Sequence, residues 1–186
     1  MTKRTLLFAL AMLFAAHVSF AQSGSISADI EIQNAPAACA FNTTGGDLDF
    51  GGVYKPTDAG TNNAVMNAVN GTLALQGGGN GSTFGTSQVG AFSLAGSNTS
   101  TFTVDITFPA TLTSGSNNLS YGGTWAQSTT AASGYALVSG ATYNGTGPGS
   151  GPFTHYFRVG GTVSGIASST PNGTYTGTVG ISGSCN

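Results

Sequence analysis

One segment narrows the fold more than any other. In Thr101-Phe102-Thr103-Val104-Asp105-Ile106-Thr107-Phe108 every even position is apolar and every odd one polar. That two-residue period belongs to a strand with one buried face, and Pro109 ends it by withholding an N–H from the ladder. Further strands are expected over residues 48–54, 66–76, 90–94, 119–125, 135–138, 153–163 and 174–185. Turn formers separate them, notably Gly77-Gly78-Gly79-Asn80-Gly81 and Asn144-Gly145-Thr146-Gly147-Pro148-Gly149. Many short strands with Gly-rich turns specify an all-β sandwich or barrel. Two glycines inside Val159-Gly160-Gly161-Thr162-Val163 point to a bulge or a close backbone approach.

The first residues are of another kind. Lys3 and Arg4 precede an apolar run over 6–18, and Ser19-Phe20-Ala21 places small residues where a signal peptidase reads. The run is shorter than the roughly 20 residues a membrane-crossing helix needs. A signal-peptide helix over 1–21, cut before Gln22, is therefore expected, followed by an N-terminal extension and linker over 22–38 and a sandwich domain over 39–186. The processed chain keeps Lys55 and Arg158 against Asp29, Glu31, Asp47, Asp49, Asp58 and Asp105, a net charge of −4. With so few cations, nucleic acid is an unsuitable partner. No later segment is apolar enough to enter a bilayer as a helix, so no membrane insertion is expected after cleavage.

Disorder does not follow from the low charge, because 39% of residues are hydrophobic, with 11 Phe and 6 Tyr. Cys39 and Cys185 are the two cysteines. In an exported chain an isolated pair is most simply a disulfide, and closing so long a loop contributes roughly 5 kcal/mol in the chain-entropy model. Free thiols or a metal site would be the alternative, but no His or Cys stands at ligand spacing.

Residues 25–33 read Ser-Ile-Ser-Ala-Asp-Ile-Glu-Ile-Gln. Ile26, Ala28, Ile30 and Ile32 share one face, while Asp29 and Glu31 share the other. Burying three isoleucines is worth roughly 5–9 kcal/mol before ordering costs, so this strand belongs in a groove. The linker Asn34-Ala35-Pro36-Ala37-Ala38 biases Ala35 to extended backbone, and two destinations stay open: its own sheet, or the sheet of another molecule by strand addition.

Catalytic and cofactor motifs are missing. His155 shares parity with Phe153, Phe157 and Val159, which marks a neutral, hydrogen-bonded core histidine rather than a triad member. There is no Gly-x-Ser-x-Gly elbow and no P-loop, and no cofactor is expected. Asp47 and Asp49 flank Leu48 on one strand face, the place of solvated surface acids rather than of a glycosidase pair. Trp125, Tyr121, Tyr143 and Tyr156 are the candidates for a glycan platform, with core packing as the alternative use of the same rings.

Three segments together carry a family resemblance. Asp47-Leu48-Asp49-Phe50-Gly51-Gly52-Val53 is similar to the opening of spore-coat-U-like and pilin-like secreted domains. Gly90-Ala91-Phe92-Ser93-Leu94-Ala95-Gly96, then residues 101–108 and Pro109, resembles the centre of the bacterial family named domain of unknown function four-four-zero-two. Phe157-Arg158-Val159-Gly160-Gly161-Thr162-Val163, followed by Gly173-Thr174-Tyr175-Thr176-Gly177-Thr178-Val179, resembles its ending. The resemblance implies an immunoglobulin-like, pilin-like sandwich with an N-terminal extension strand, in a secreted or surface protein of a Gram-negative-type bacterium. It further implies passage through the periplasm with a chaperone and an outer-membrane usher, then polymerisation by donor-strand insertion. Ile26, Ala28, Ile30 and Ile32 would be the donor anchors, and the Cys39–Cys185 pair would tie the first and last strands of the acceptor. Two features depart from fimbrial pilins: the cysteine partner lies at the far end of the domain, and Cys185 takes the place of the aromatic penultimate residue.

The expected function is thus a non-enzymatic structural subunit of a bacterial surface filament or coat. The alternative is a monomeric secreted adhesin or carbohydrate-binding sandwich with residues 25–33 paired in cis.

Overall fold

A computed structural model describes residues 22–25, 39–97 and 101–186. The expected signal peptide lies outside the described residues. So does the candidate donor strand beyond Ser25, with Ile26, Ala28, Ile30 and Ile32. Among the described residues there is no helix; the chain is all-β. The strands are β1 (Gln22–Ser25), β2 (Cys39–Asn42), β3 (Gly52–Tyr54), β4 (Thr61–Met66), β5 (Leu73–Gly77), β6 (Ser82–Phe84) and β7 (Gly90–Ser97). They continue as β8 (Thr101–Thr107), β9 (Thr111–Ser114), β10 (Asn117–Ser128), β11 (Ala136–Leu137), β12 (Thr142–Thr146), β13 (Pro152–Ala167) and β14 (Gly180–Cys185).

Two large sheets form a sandwich-like body, and β3 and β6 pair as a third, two-stranded sheet. The smaller of the two large sheets has the order β1-β14-β8-β12. In the larger, β11-β10-β13-β4-β5 form the main path, β7 also pairs with β13 and β2 with β7, and β9 pairs with β10. The alternation in β8 does what its period requires: Phe102, Val104 and Ile106 are buried. They meet Phe92 and Leu94 of β7, Trp125 of β10, Phe157 and Val159 of β13 and Ile181 of β14 in the first core cluster. Each such side chain contributes about 1.5–3 kcal/mol on burial. Phe92 stacks on Phe157 at 4.8 Å, and Trp125 on Phe157 at 5.7 Å. The disulfide joins Cys39 at the start of β2 to Cys185 at the end of β14, with Cα atoms 6.1 Å apart across a sequence separation of 146. It therefore clamps one sheet to the other.

The second core cluster lies along the same large sheet. Ala64, Tyr121, Val163 and Ile166 are buried there, with Leu48, Phe50, Val53, Leu112 and Leu119 partly covered around them. Both clusters depend on β13, which changes partners along one edge. Pro152 to Val159 pair with β7, and Gly161 to Ala167 pair with β4, while β10 follows the other edge across the change. Backbones crowd at the junction. A Cβ on Gly160 would stand 2.3 Å from Met66 O, and one on Gly161, where φ is +150°, would stand 2.5 Å from Gly122 O. The glycine pair is thus a close approach, as its place in the run suggested.

Several strand expectations need correction. Residues 66–76 are not one strand: β4 ends at Met66, and Asn67 builds a turn whose side chain accepts from Val69 N at 2.8 Å while Gly71 N donates to Asn67 O. Of 174–185, only Gly180–Cys185 is ladder; before it stands a single bridge, Thr176 to Thr113. β12 takes in Asn144 to Thr146 from the stretch expected to be turn, because a Cβ at Gly145 would collide with the Phe102 ring and only glycine lets β12 pass there.

Two outcomes follow from this architecture. Gly161→Ala should destabilise the domain by about 1–3 kcal/mol in denaturant unfolding, whereas Gly122→Ala, with open space at its Cβ, should change it by less than about 0.5 kcal/mol. The Cys39→Ser, Cys185→Ser double variant should lose up to roughly 5 kcal/mol, read as a lowered Tm that reductant no longer shifts.

Candidate functional site

The second cluster is covered on one side only. Above it opens a cleft of about 1480 Å³ whose floor includes Ala64, Leu112, Leu119, Tyr121, Val163 and Ile166. Its banks are two chain segments, residues 47–55 and 170–179. The first bank is held from outside by β3–β6 pairing and by the Asp49–Gln88 bridge. The second is held by the Thr176–Thr113 bridge. At one end Lys55 Nζ donates to Thr170 O at 2.9 Å and ties bank to bank. Leu48 and Val179, both packed on the first cluster, mark the opposite end. The banks accordingly run antiparallel to each other.

The floor is mostly apolar. Tyr121 supplies its polar exception, and its hydroxyl is spent on Gly160 O at 2.8 Å. Burial pushes the Tyr121 phenol far above its usual range, so it stays protonated and serves as a fixed donor. Its ring stands edge-on to Phe50 and Phe108. At the rim Tyr54 and Phe84 pair at 4.3 Å and are exposed. Asp47 and Asp49 line the Leu48 end and Lys55 the other; Asp49 Oδ1 accepts from Gly51 N. No group of three His, Cys, Asp or Glu that could hold a metal occurs among the described residues. The arrangement is a trough with a mostly apolar floor between two chain segments.

The structure scatters the other candidate residues. Trp125 is 1% exposed and donates to Gly140 O, and Tyr121 is 7% exposed under the cleft. Neither presents a ring face outward, because both are core residues of β10, so the glycan platform assembled from them does not exist as a surface. Tyr143 and Tyr156 are half-buried on different strands, with Tyr143 against Phe102, His155 and Phe157. His155 is buried among those rings, its Nε2 2.6 Å from Gln127 Oε1. Desolvation lowers its pKa, which keeps the imidazole neutral. Asp47 and Asp49 are exposed. Cys39 and Cys185 are joined as expected.

Sequence reasoning missed most of the cleft. Leu112 sits in a strand too short to show a period, and Ile166 follows the register shift in β13. The Leu-Asp-Phe-Gly-Gly-Val run of the first bank and residues 174–179 of the second were readable, as strands rather than as walls.

Fold and cleft define a class: an all-β, sandwich-like domain, disulfide-clamped between β2 and β14, with one half of its core left open. The family is then plain. The chain belongs to the family described as Domain of unknown function (DUF4402), whose model matches residues 40–183. No curated protein and no solved structure matches it.

The His155 environment gives a pH dependence. The folded pKa lies below the unfolded value near 6.5, so on acidification the unfolded chain takes up a proton that the folded one refuses, and stability falls. Unfolding free energy should decline as pH drops from about 7.5 to about 5.5, and His155→Gln, which retains an amide partner for Gln127, should flatten that slope.

Proposed function

We propose that this chain is a non-enzymatic structural subunit of a bacterial surface filament or coat. In this reading the domain is an immunoglobulin-like, pilin-like sandwich, exported by a signal peptide, that completes its core with a strand donated by a neighbouring subunit. The supporting observation is the open cleft over the second core cluster. It is apolar along its floor and bounded by two chain segments, surroundings that suit a single added strand. The chain carries a matching element in Ile26, Ala28, Ile30 and Ile32, one apolar stripe on an alternating segment. An apolar trough of this size is a liability in a free monomer and an asset in a polymer. Secretion through the periplasm, with a chaperone covering the trough until an usher exchanges it for a donor strand, belongs to the same proposal.

Deleting residues 22–33 tests it. The full chain should form polymers visible by negative-stain microscopy and a ladder on unboiled gels, and the truncated chain should remain monomeric with its fold intact. Polymers that persist after the deletion, or a full chain that stays monomeric at high concentration, would overturn the reading.

A further inference from the structure

Four Asn-Gly pairs occur in the chain, at 70–71, 80–81, 144–145 and 172–173, and all four lie among the described residues. Such a pair is prone to deamidation. Its glycine has no side chain to hinder attack of the backbone nitrogen on the preceding amide carbon, and its backbone is free to bring the two together. All four asparagines are exposed, so access to water does not separate them. Hydrogen bonding does.

Three of the pairs are held at both reacting groups. Gly71 N donates to Asn67 O at 2.8 Å, and Asn70 Oδ1 accepts from Thr72 N and Thr72 Oγ1. Gly81 N donates to Oδ1 of the buried Asn62 at 3.0 Å. The Asn80 amide is engaged at both ends by Thr57, accepting from its N and donating to its Oγ1. Gly145 is buried in β12 and pairs with Phe102 in the same phase as the bonded Ile106–Ala141 pair, which turns its N–H to the Phe102 carbonyl. Asn144 Oδ1 accepts from Thr103 Oγ1 at 3.0 Å. Groups held in this way cannot swing together until the local structure opens.

Asn172–Gly173 is held at neither. It lies in the second bank of the cleft, at a bend rather than in a ladder. Neither the Asn172 side-chain amide nor the Gly173 N–H has a hydrogen-bond partner among the described residues. The chain around the pair is closed by its neighbours, with the Tyr175 hydroxyl donating to Pro171 O at 2.9 Å. A Cβ on Gly173 would run into the Ser114 hydroxyl, so packing favours the one residue that leaves the nitrogen unshielded.

We propose that Asn172–Gly173 is a spontaneous modification site, where the folded protein deamidates through a cyclic imide on the wall of the cleft. The Gly173 nitrogen bonds to Asn172 Cγ and passes its proton, by way of water, to Nδ2; the Cγ–Nδ2 bond breaks and ammonia leaves. Water then opens the imide. Attack at one carbonyl gives aspartate at 172, and attack at the other gives isoaspartate, with the chain running through the side-chain carbon. Either product adds a carboxylate two residues beyond Thr170, whose carbonyl accepts from Lys55 Nζ. Isoaspartate also inserts a methylene into the second bank between its two ties, the Lys55–Thr170 bond and the Thr176–Thr113 bridge. The wall thus changes in charge and length with the age of the molecule, whatever the cleft receives.

Peptide mapping reads the site directly. Purified protein is kept folded at mildly alkaline pH, sampled over time, digested under acidic conditions that stop the reaction and mapped by mass spectrometry, with electron-transfer fragmentation to tell isoaspartate from aspartate. Deamidation at 172 should outrun that at 70, 80 and 144 by on the order of tenfold or more, because the held sites react only through local opening. All four pairs are followed by Thr or Ser, so in chain unfolded by denaturant and reductant their rates should fall within about threefold of one another. Asn172→Gln should remove the acidic species that accumulates on ion exchange. Equal rates at the four sites in folded protein, a faster site among the other three, or a residue 172 that stays intact while the unfolded chain reacts would overturn the assignment.

Discussion

Everything in this domain leans on the meeting of three backbones at Gly160 and Gly161. There β13 gives up β7 and takes on β4 while β10 stays alongside. No side chain fits between Gly160 and the Met66 carbonyl, or between Gly161 and the Gly122 carbonyl. That contact makes one long strand the axis of two cores. The first core receives β14, β8 and β12 as a lid and closes to full burial, with Leu94, Val104, Phe157 and Val159 at 0% exposure. The second receives only the 47–55 and 170–179 segments, which stand apart, and its apolar lining stays half covered.

The fold was legible where a single period decided it. Residues 101–108 carry no competing signal, and the strand stands within a residue of its expected ends. Legibility failed where side-chain chemistry outside the period intervened. Asn67 folds its amide over the following N–H groups and cuts an apparent strand in two. Asn62, which interrupts the apolar alternation of β4, is buried and satisfied by Gly79 O and Gly81 N, a solution visible only once the Gly-rich loop is in place. Gly145, read as a turn former, is a strand residue because the Phe102 ring occupies the space where its side chain would be.

The cleft was less legible for a related reason. A groove is a property of what is missing between segments, and neither bank announces it alone. The stripe at Ile26, Ala28, Ile30 and Ile32 was plain, as an apolar face in need of cover. The cleft draws on residues from β4, β9, β10 and β13 that come together only through the partner change in β13. The aromatic residues illustrate the converse. Trp125 and Tyr121 look like surface chemistry in a chain poor in charge, yet they are spent on filling the interior, each with its polar atom turned to a backbone carbonyl.

The position of the disulfide has a mechanical corollary. Cys39 is where the N-terminal extension joins the body, and Cys185 closes the strand whose upstream continuation is the 170–179 bank. Tension applied through the extension therefore enters the large sheet and the last strand together. Such a force need not pass through the sandwich interior, because the S–S bond carries it across from one sheet to the other.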